Sequence, residues 1–265
     1  MMVSDVPMVS TDFIIDRQCF YDSRWPVFFE DNHLLAVYKP AGLLVQGDRT
    51  GDICLLDLAK RWLKVLYQKP GKVFLGMVHR LDRPVAGVVL FARTSKAASR
   101  LSQQFRERTV KKTYLAVVEG TLPKTSGRLR HHIERSNRRN RVVPEPTKRS
   151  KNASLQYEVL GHDGGRSLVR ISLETGRRHQ IRIQLAHAGC PILGDRRYGA
   201  TAALPDREIA LLANHLEVDH PTRGQRLVLT CPPPDGWPWP DTQARDHVRP
   251  PWDWRAFDTI FSQVF

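Results

Sequence analysis

The run VAGVVLFA, residues 85–92, is apolar at every position, a pattern that predicts a short strand buried on both faces. Just after it, TSKAASRLSQQFRER opens on a Ser/Thr cap and sets Ala98, Leu101 and Phe105 along one helical face. Upstream, ICLLDLAKRWLKVLY repeats apolar residues at Leu55, Leu58, Trp62 and Leu66, again at helical spacing. HLLAVYKPAGLLVQ reads as a strand, a Pro-Ala-Gly turn and a second extended piece. KKTYLAVVEG alternates, with Tyr114, Ala116 and Val118 on one side of a strand and Leu115 and Val117 on the other.

From Pro123 to Asn152 the apolar content collapses and RLRHHIERSNRRNRVVPEPTKRSKN follows, a stretch that reads as a solvated, basic loop. Strands resume at ASLQYEVL and SLVRISLE, joined by the turn GHDGG. TGRRHQIRIQLAHAGCP then offers a threonine cap, a helical body, a glycine stop at Gly189 and Pro191 just beyond. RLVLTCP is the last clear strand before the turn-rich PPPDGWPWP. The terminal WDWRAFDTIFSQVF sets Trp254, Phe257, Ile260, Phe261 and Val264 on one face, the pattern of a helix docked on the core. Many strands with few helices and no steady alternation predict an α+β protein on a mixed or mostly antiparallel sheet. The expected organisation is one domain over 27–234, preceded by an extension (1–26) and followed by a linker and docking helix (235–265).

Charge adds a partner to this picture. Lysine and arginine number 41 against 27 acidic residues, a net charge of +14 and a pI near 10.1. Such an excess suits a polyanion, because each neutralised phosphate releases counterions. Cys19, Cys54, Cys190 and Cys231 have no paired spacing, which fits free thiols in a reducing compartment better than a disulfide framework or a zinc site. The start, MMVSDVPMVSTDF, lacks the pattern of a secretory signal, and no apolar stretch reaches the roughly 18–20 residues of a membrane span. A soluble, cytoplasmic protein is expected, with no membrane and no obligate protein partner, working as a monomer.

Candidate chemistry narrows quickly. There is no Walker loop, Rossmann glycine fingerprint, His-Glu-x-x-His helix or Gly-x-Ser-x-Gly elbow, and the ten histidines show no metal spacing. Neither a metal nor an organic cofactor is expected. Asp82 stands between Arg80 and Arg83 in HRLDRP, and Pro84 biases Arg83 toward an extended conformation. An acid so flanked is expected to stay ionised and to serve as a base or nucleophile; a surface ion pair is the plainer alternative. In TGRRHQIR, Arg178 and Arg182 are four apart and share one face of the expected helix, with Ile181, Leu185 and Ala188 on the other. A guanidinium on a rigid helix can pin a buried carboxylate; a phosphate-binding face is the other reading, stronger for Arg178.

These pieces together resemble the RluA-type RNA pseudouridine synthases. HRLDR ahead of a glycine and an apolar run, KKTYLAVVEG and TGRRHQIRIQLAHAGCPILGDRRYG carry the resemblance, with VYKPAGLLVQ before them and LLANHLEVDHP and RLVLTCPPP after, in the same order. The resemblance covers roughly residues 27–234 and implies a single mixed, mainly antiparallel sheet flanked by helices, with an RNA groove across its centre. It assigns Asp82 as the catalytic aspartate, Tyr114 as the tyrosine stacked on the target base, Arg182 as the basic partner of the aspartate, and Arg80 as the arginine filling the gap left by the extruded uridine. The implied partner is RNA, ribosomal or transfer. This chain departs from the family pattern at Val85 and Ala86, where Thr-Ser is usual, and at Gln184 and Leu212, where histidines are common.

Residues 1–26 are too short for an S4-like module, so the grip on RNA is expected from the domain itself. Arg83, Arg178 and the basic stretch holding Arg138, Arg139 and Arg141 are the contact candidates. Two rival readings follow from the same residues. One is an RNA-binding protein whose synthase pocket has decayed, and the other a basic protein that binds polyanions unspecifically.

Overall fold

Sheet pairing dominates the computed structural model, which describes residues 27–136, 139–234 and 236–239. In chain order the elements are β1 (Val27–Glu30), β2 (Leu34–Lys39), α1 (Leu55–Leu66), β3 (Gly76–Met77), β4 (Ala86–Ala92) and α2 (Ser95–Glu107). There follow β5 (Lys111–Glu119), β6 (Ser126–Glu134), β7 (Arg141–Val143), β8 (Ser150–Asp163), β9 (Arg166–Leu173), α3 (Gln180–His187), β10 (Leu211–Asp219) and β11 (Arg226–Thr230). The strands form one sheet in the order β1-β2-β4-β10-β5-β9-β8-β6-β7, with β3 beside β4 and β11 beside β10. Every named pairing is antiparallel except that of β4 with β10. The fold is the expected α+β architecture on a mixed, mainly antiparallel sheet.

The alternation along β4 feeds two cores. Val89 and Phe91 join the layer closed by α1 and α3, where Leu55, Leu58, Trp62, Ile181 and Leu185 are buried. Val88 and Leu90 face the other layer, which α2 closes with Ala97 and Leu101. Thr94 caps α2 by accepting a hydrogen bond from the backbone N–H of Ala97. At the join of β4 with β10 stands Gly87, whose φ of +128° is closed to side chains; a Cβ there would lie 2.3 Å from the carbonyl oxygen of Ala213. This glycine is what lets β4 lie against β10.

Three sequence expectations change. Leu66 is exposed, and the buried face of α1 runs through Ala59 and Leu63 instead. Thr175 does not cap α3; the helix starts after His179, and Arg178 lies outside it, so Arg178 and Arg182 do not share a helical face. The basic stretch is no loop: β6, β7 and the start of β8 turn it into an antiparallel arm at the sheet edge. Its strands carry charge on exposed positions, while Ile133 and Ala153 are buried with Ile183 of α3. Cys54, Cys190 and Cys231 are buried and free. Cys19, Arg138 and the docking helix expected around Trp254, Phe257, Ile260, Phe261 and Val264 lie outside the described residues, although Trp237 and Trp239 pack on the core.

Candidate active site

The connection from β3 to β4 carries Asp82, and three side chains hold it still. His79 turns inward: its Nε2 accepts the Leu90 backbone N–H at 2.9 Å, and its ring stacks on Phe105 at 5.2 Å. The histidine thus completes the edge of β4 where β3 runs out. Burial pushes its pKa down to about 3, so it stays the neutral acceptor this contact needs. On the other side, Arg83 donates to Gly42 O at 2.9 Å and to Asp52 at 2.7 Å. The Arg83 carbonyl receives the Gly42 N–H at 2.8 Å and the Lys39 ammonium at 3.1 Å. Lys39, 0% exposed, also donates to Pro40 O and Leu43 O, both at 2.8 Å. Burial pulls its pKa down to about 7, against the pull of the nearby Asp82 charge. Finally the Val85 N–H closes a turn onto Asp82 O at 3.1 Å across Pro84.

From this loop the Asp82 side chain, 22% exposed, meets α3. Arg182 donates through Nη1 to Asp82 Oδ2 at 3.3 Å. Its other two nitrogens grip Asp195 bidentately, Nε to Oδ2 at 2.6 Å and Nη2 to Oδ1 at 2.9 Å. Both partners are buried, Arg182 at 6% and Asp195 at 1% exposure. The two acids hold the Arg182 guanidinium charged despite burial, with its pKa raised. The segment ahead of α3 is fixed by Gln180, whose Oε1 accepts from Thr175 Oγ1 at 2.7 Å and from the Arg177 N–H at 3.0 Å. Its Nε2 reaches Ser154 O at 3.0 Å. Gln184, at a position of departure, is buried and its Nε2 binds Leu129 O and His131 Nδ1, each at 3.0 Å, stitching α3 to the arm.

Asp82 lies at a cleft of about 910 Å³ over the central strands, lined by β5 at Tyr114 and by β10 at Leu211. Tyr114 is held in register opposite Ile171 of β9. Burial raises its phenol pKa and the Asp82 charge adds to this, so the ring stays neutral. The cleft lining includes Arg106, Arg108, Lys111 and Lys112 from the end of α2 and the start of β5, Arg177 and Arg178 from the segment ahead of α3, and exposed Arg80 close in sequence to Asp82. Among the remaining contact candidates, Arg139 rests 4.7 Å from the Tyr198 ring centroid, and Arg141 pairs with Glu134 at 3.0 Å.

The structure therefore brings together Asp82, Tyr114, Arg182, Arg80 and Arg178 at one cleft, and sets Arg139 and Arg141 on the arm. Sequence reasoning passed over Lys39, His79, His179, Asp195 and Tyr198. Each sits inside a quoted motif (VYKPAG, HRLDR, GRRHQIR, GDRRYG), but spacing alone gave none of them a partner.

Of the departures, Ala86 and Leu212 are paired with each other across the β4–β10 join, in the apolar layer under α2. They are an apolar pair set in the core, and of the two positions in VA only Val85 lines the cleft.

A cleft with a basic lining and one acid held against a buried guanidinium suits chemistry on a polyanion. The comparisons with known proteins give this class a family. The sequence pattern described as RNA pseudouridylate synthase matches residues 33–187. The chain is 35% identical over 214 residues to the Bacillus subtilis protein named uncharacterized RNA pseudouridine synthase YhcT, covering 78% of this chain and 68% of that one. It is 38% identical over 224 residues to ribosomal large subunit pseudouridine synthase D of Nitrosomonas europaea, covering 79% of this chain and 62% of that one. Among solved structures, human RNA pseudouridylate synthase domain containing 4 superposes with a TM-score of 0.67 at 25% identity, over 79% of this chain and 88% of that one. The chain belongs to the RNA pseudouridylate synthase family.

Proposed function

We propose that this pseudouridine synthase acts on a uridine flipped out of structured RNA, with Asp82 as the group that meets the nucleotide. The reaction breaks the bond from sugar C1′ to ring N1, turns the base and rejoins it through C5; the C5 proton leaves and N1 ends protonated. A uridine inside a stack cannot be reached, so the base must be extruded into the cleft. There the Tyr114 ring gives it a stacking face, an interaction commonly worth about 1–3 kcal/mol per base. Arg182 fixes the orientation of Asp82, and Arg80 at the cleft mouth takes the place the base has left. The observation that carries this reading is the Arg182–Asp82 contact at 3.3 Å, inside a cleft that is also lined by Tyr114 and several arginines and lysines. The names of relatives such as the Nitrosomonas europaea enzyme favour ribosomal RNA over transfer RNA as substrate. No described helix is long and apolar enough to cross a membrane.

The test is tritium release from RNA labelled at uracil position five, with ribosomal and transfer RNA run separately. Release by the wild-type protein that disappears in Asp82→Asn supports the reading. No release from either RNA, with tight binding retained, would favour a binding protein with a decayed pocket. Binding that follows salt alone, with no preferred RNA, would favour the unspecific polyanion reading.

A further inference from the structure

His179 has no part in that chemistry, yet it is held where few side chains go. Its φ of +59° and ψ of 22° lie in the left-handed region. This backbone turn puts the imidazole between the short 3-10 helix Arg196–Tyr198 and Asp82. Its Nδ1 is 2.7 Å from the Tyr198 hydroxyl, and its Nε2 is 3.7 Å from Asp82 Oδ2. The ring packs edge-on against Tyr198 at 5.7 Å.

The proton positions follow from the neighbours. Burial keeps the Tyr198 phenol protonated, with its pKa raised, so it can donate to His179 Nδ1 2.7 Å away. An imidazole that accepts at Nδ1 carries its proton at Nε2, and the opposite tautomer would aim a lone pair at the Asp82 carboxylate. Arg182 Nη1 and His179 Nε2 both address Oδ2, whereas Asp82 Oδ1 has no hydrogen-bond partner among the described residues. The separation of 3.7 Å exceeds a hydrogen bond, and such contacts commonly tighten when substrate binds.

We infer that His179 and Tyr198 are positioning residues: Tyr198 fixes the Nε2–H tautomer of His179, and that N–H joins Arg182 in occupying Oδ2, so that Oδ1 is the oxygen presented to the nucleotide. This rests on the role proposed for Asp82. The groups facing the imidazole are Asp82 from the β3–β4 connection, Arg178 from its own segment, Arg182 from α3 with Asp195 behind it, and Arg197 and Tyr198 from the 3-10 helix. Burial brings the His179 pKa down to about 4; Asp82 opposes this, and the three arginines reinforce it.

Nitrogen-labelled histidine spectra of the full chain read the tautomer directly, without RNA. The expected result is a neutral, Nε2-protonated His179 at neutral pH. In Tyr198→Phe the donor to Nδ1 is lost, the ring charges more readily beside Asp82, and its titration moves up by at least about one pH unit. The single-turnover rate above that titration should fall too, since the tautomer is no longer fixed, though by less than in a variant without the ring. His179→Asn, which suits the left-handed backbone, should lower the turnover rate further at every pH and leave RNA affinity unchanged. A wild-type ring protonated at Nδ1, or a Tyr198→Phe protein whose His179 spectra and rate match wild type, would overturn the inference. If the wild-type protein releases no tritium from any RNA, the proposed function fails, while the spectra still decide the tautomer.

Discussion

Replacing Asp195 with leucine should cost stability out of proportion to one side chain. The carboxylate is buried and supplies two of the three short contacts of the Arg182 guanidinium, at 2.6 and 2.9 Å; only the longer bond to Asp82 would remain. Removing one partner of a buried ion pair leaves a desolvated charge and typically costs about 3–5 kcal/mol. At the lower end, a domain of this size should melt about 6–12 °C lower, given roughly 2–4 °C per kcal/mol. Arg182→Met should cost a similar amount, because Asp195 is then the stranded charge. The double variant removes both charges and fills the space with apolar groups, so it should recover most of the loss. Urea unfolding across this double-mutant cycle should return a coupling of about 4–5 kcal/mol, because each single variant loses about 3 kcal/mol and the double only about 1–2. Tritium release should stay absent in the double variant, which would be stable and inactive. Additive single losses, or an Asp195→Leu protein within about 1 kcal/mol of wild type, would refute the reasoning, since a solvated pair is worth no more than that.

Gly87→Ala should prevent native folding, because its Cβ would meet the Ala213 backbone O at 2.3 Å and N at 2.7 Å, and backbone in a paired strand has nowhere to go. A soluble variant with a native near-ultraviolet spectrum would contradict this. His79 ties stability to pH: its pKa is about 3 in the fold against 6.5 unperturbed, so below 6.5 the unfolded chain takes up a proton that the native state refuses. Stability should therefore fall as pH drops through this window, by about 1.4 kcal/mol per unit for this one group. His79→Gln keeps an acceptor for the Leu90 N–H and removes the titration. Denaturant unfolding between about pH 5.5 and 4.5 should show the variant less acid-sensitive by that slope, and equal slopes would exclude the assignment.

Local patterning carried the centre of the fold into view. The unbroken apolar run of β4, the alternation of β5 and the capped face of α2 are decided by neighbours in sequence, and their periods report their burial. The arm escaped detection because few of its positions are buried: Ile133 and Ala153 pack with Ile183 and Tyr198, while Arg128 and Arg130 alternate with residues that are themselves half-exposed. For α3 the periodicity misled for a different reason. Gln180 through Leu185 are all buried, so no polar stripe marks a solvent side. Arg182 tolerates burial only because of Asp195, thirteen residues on, and Asp82, a hundred residues back. Lys39 and His79 were hidden for another reason: their partners are backbone groups, which every residue carries and no residue pattern marks. Asp82 and Tyr114 were legible because the family resemblance supplied what local spacing could not.

The join between β4 and β10 also sets a schedule for biosynthesis. Ala86 and Gly87 pair with Leu212 and Ala213, so more than a hundred residues must be translated before the start of β4 gains β10 beside it. At about 5–20 residues per second, that interval lasts roughly 6–25 s. Throughout it, a nascent chain leaves the first residues of an apolar strand open on the edge that β3 covers only at its far end, a surface on which two unfinished copies would pair with each other. The acid of the cleft waits over the same interval, since its guanidinium partner lies on a helix made nearly as late. A chain released early would thus be both inert and adhesive, and only completed translation yields a protein that is neither.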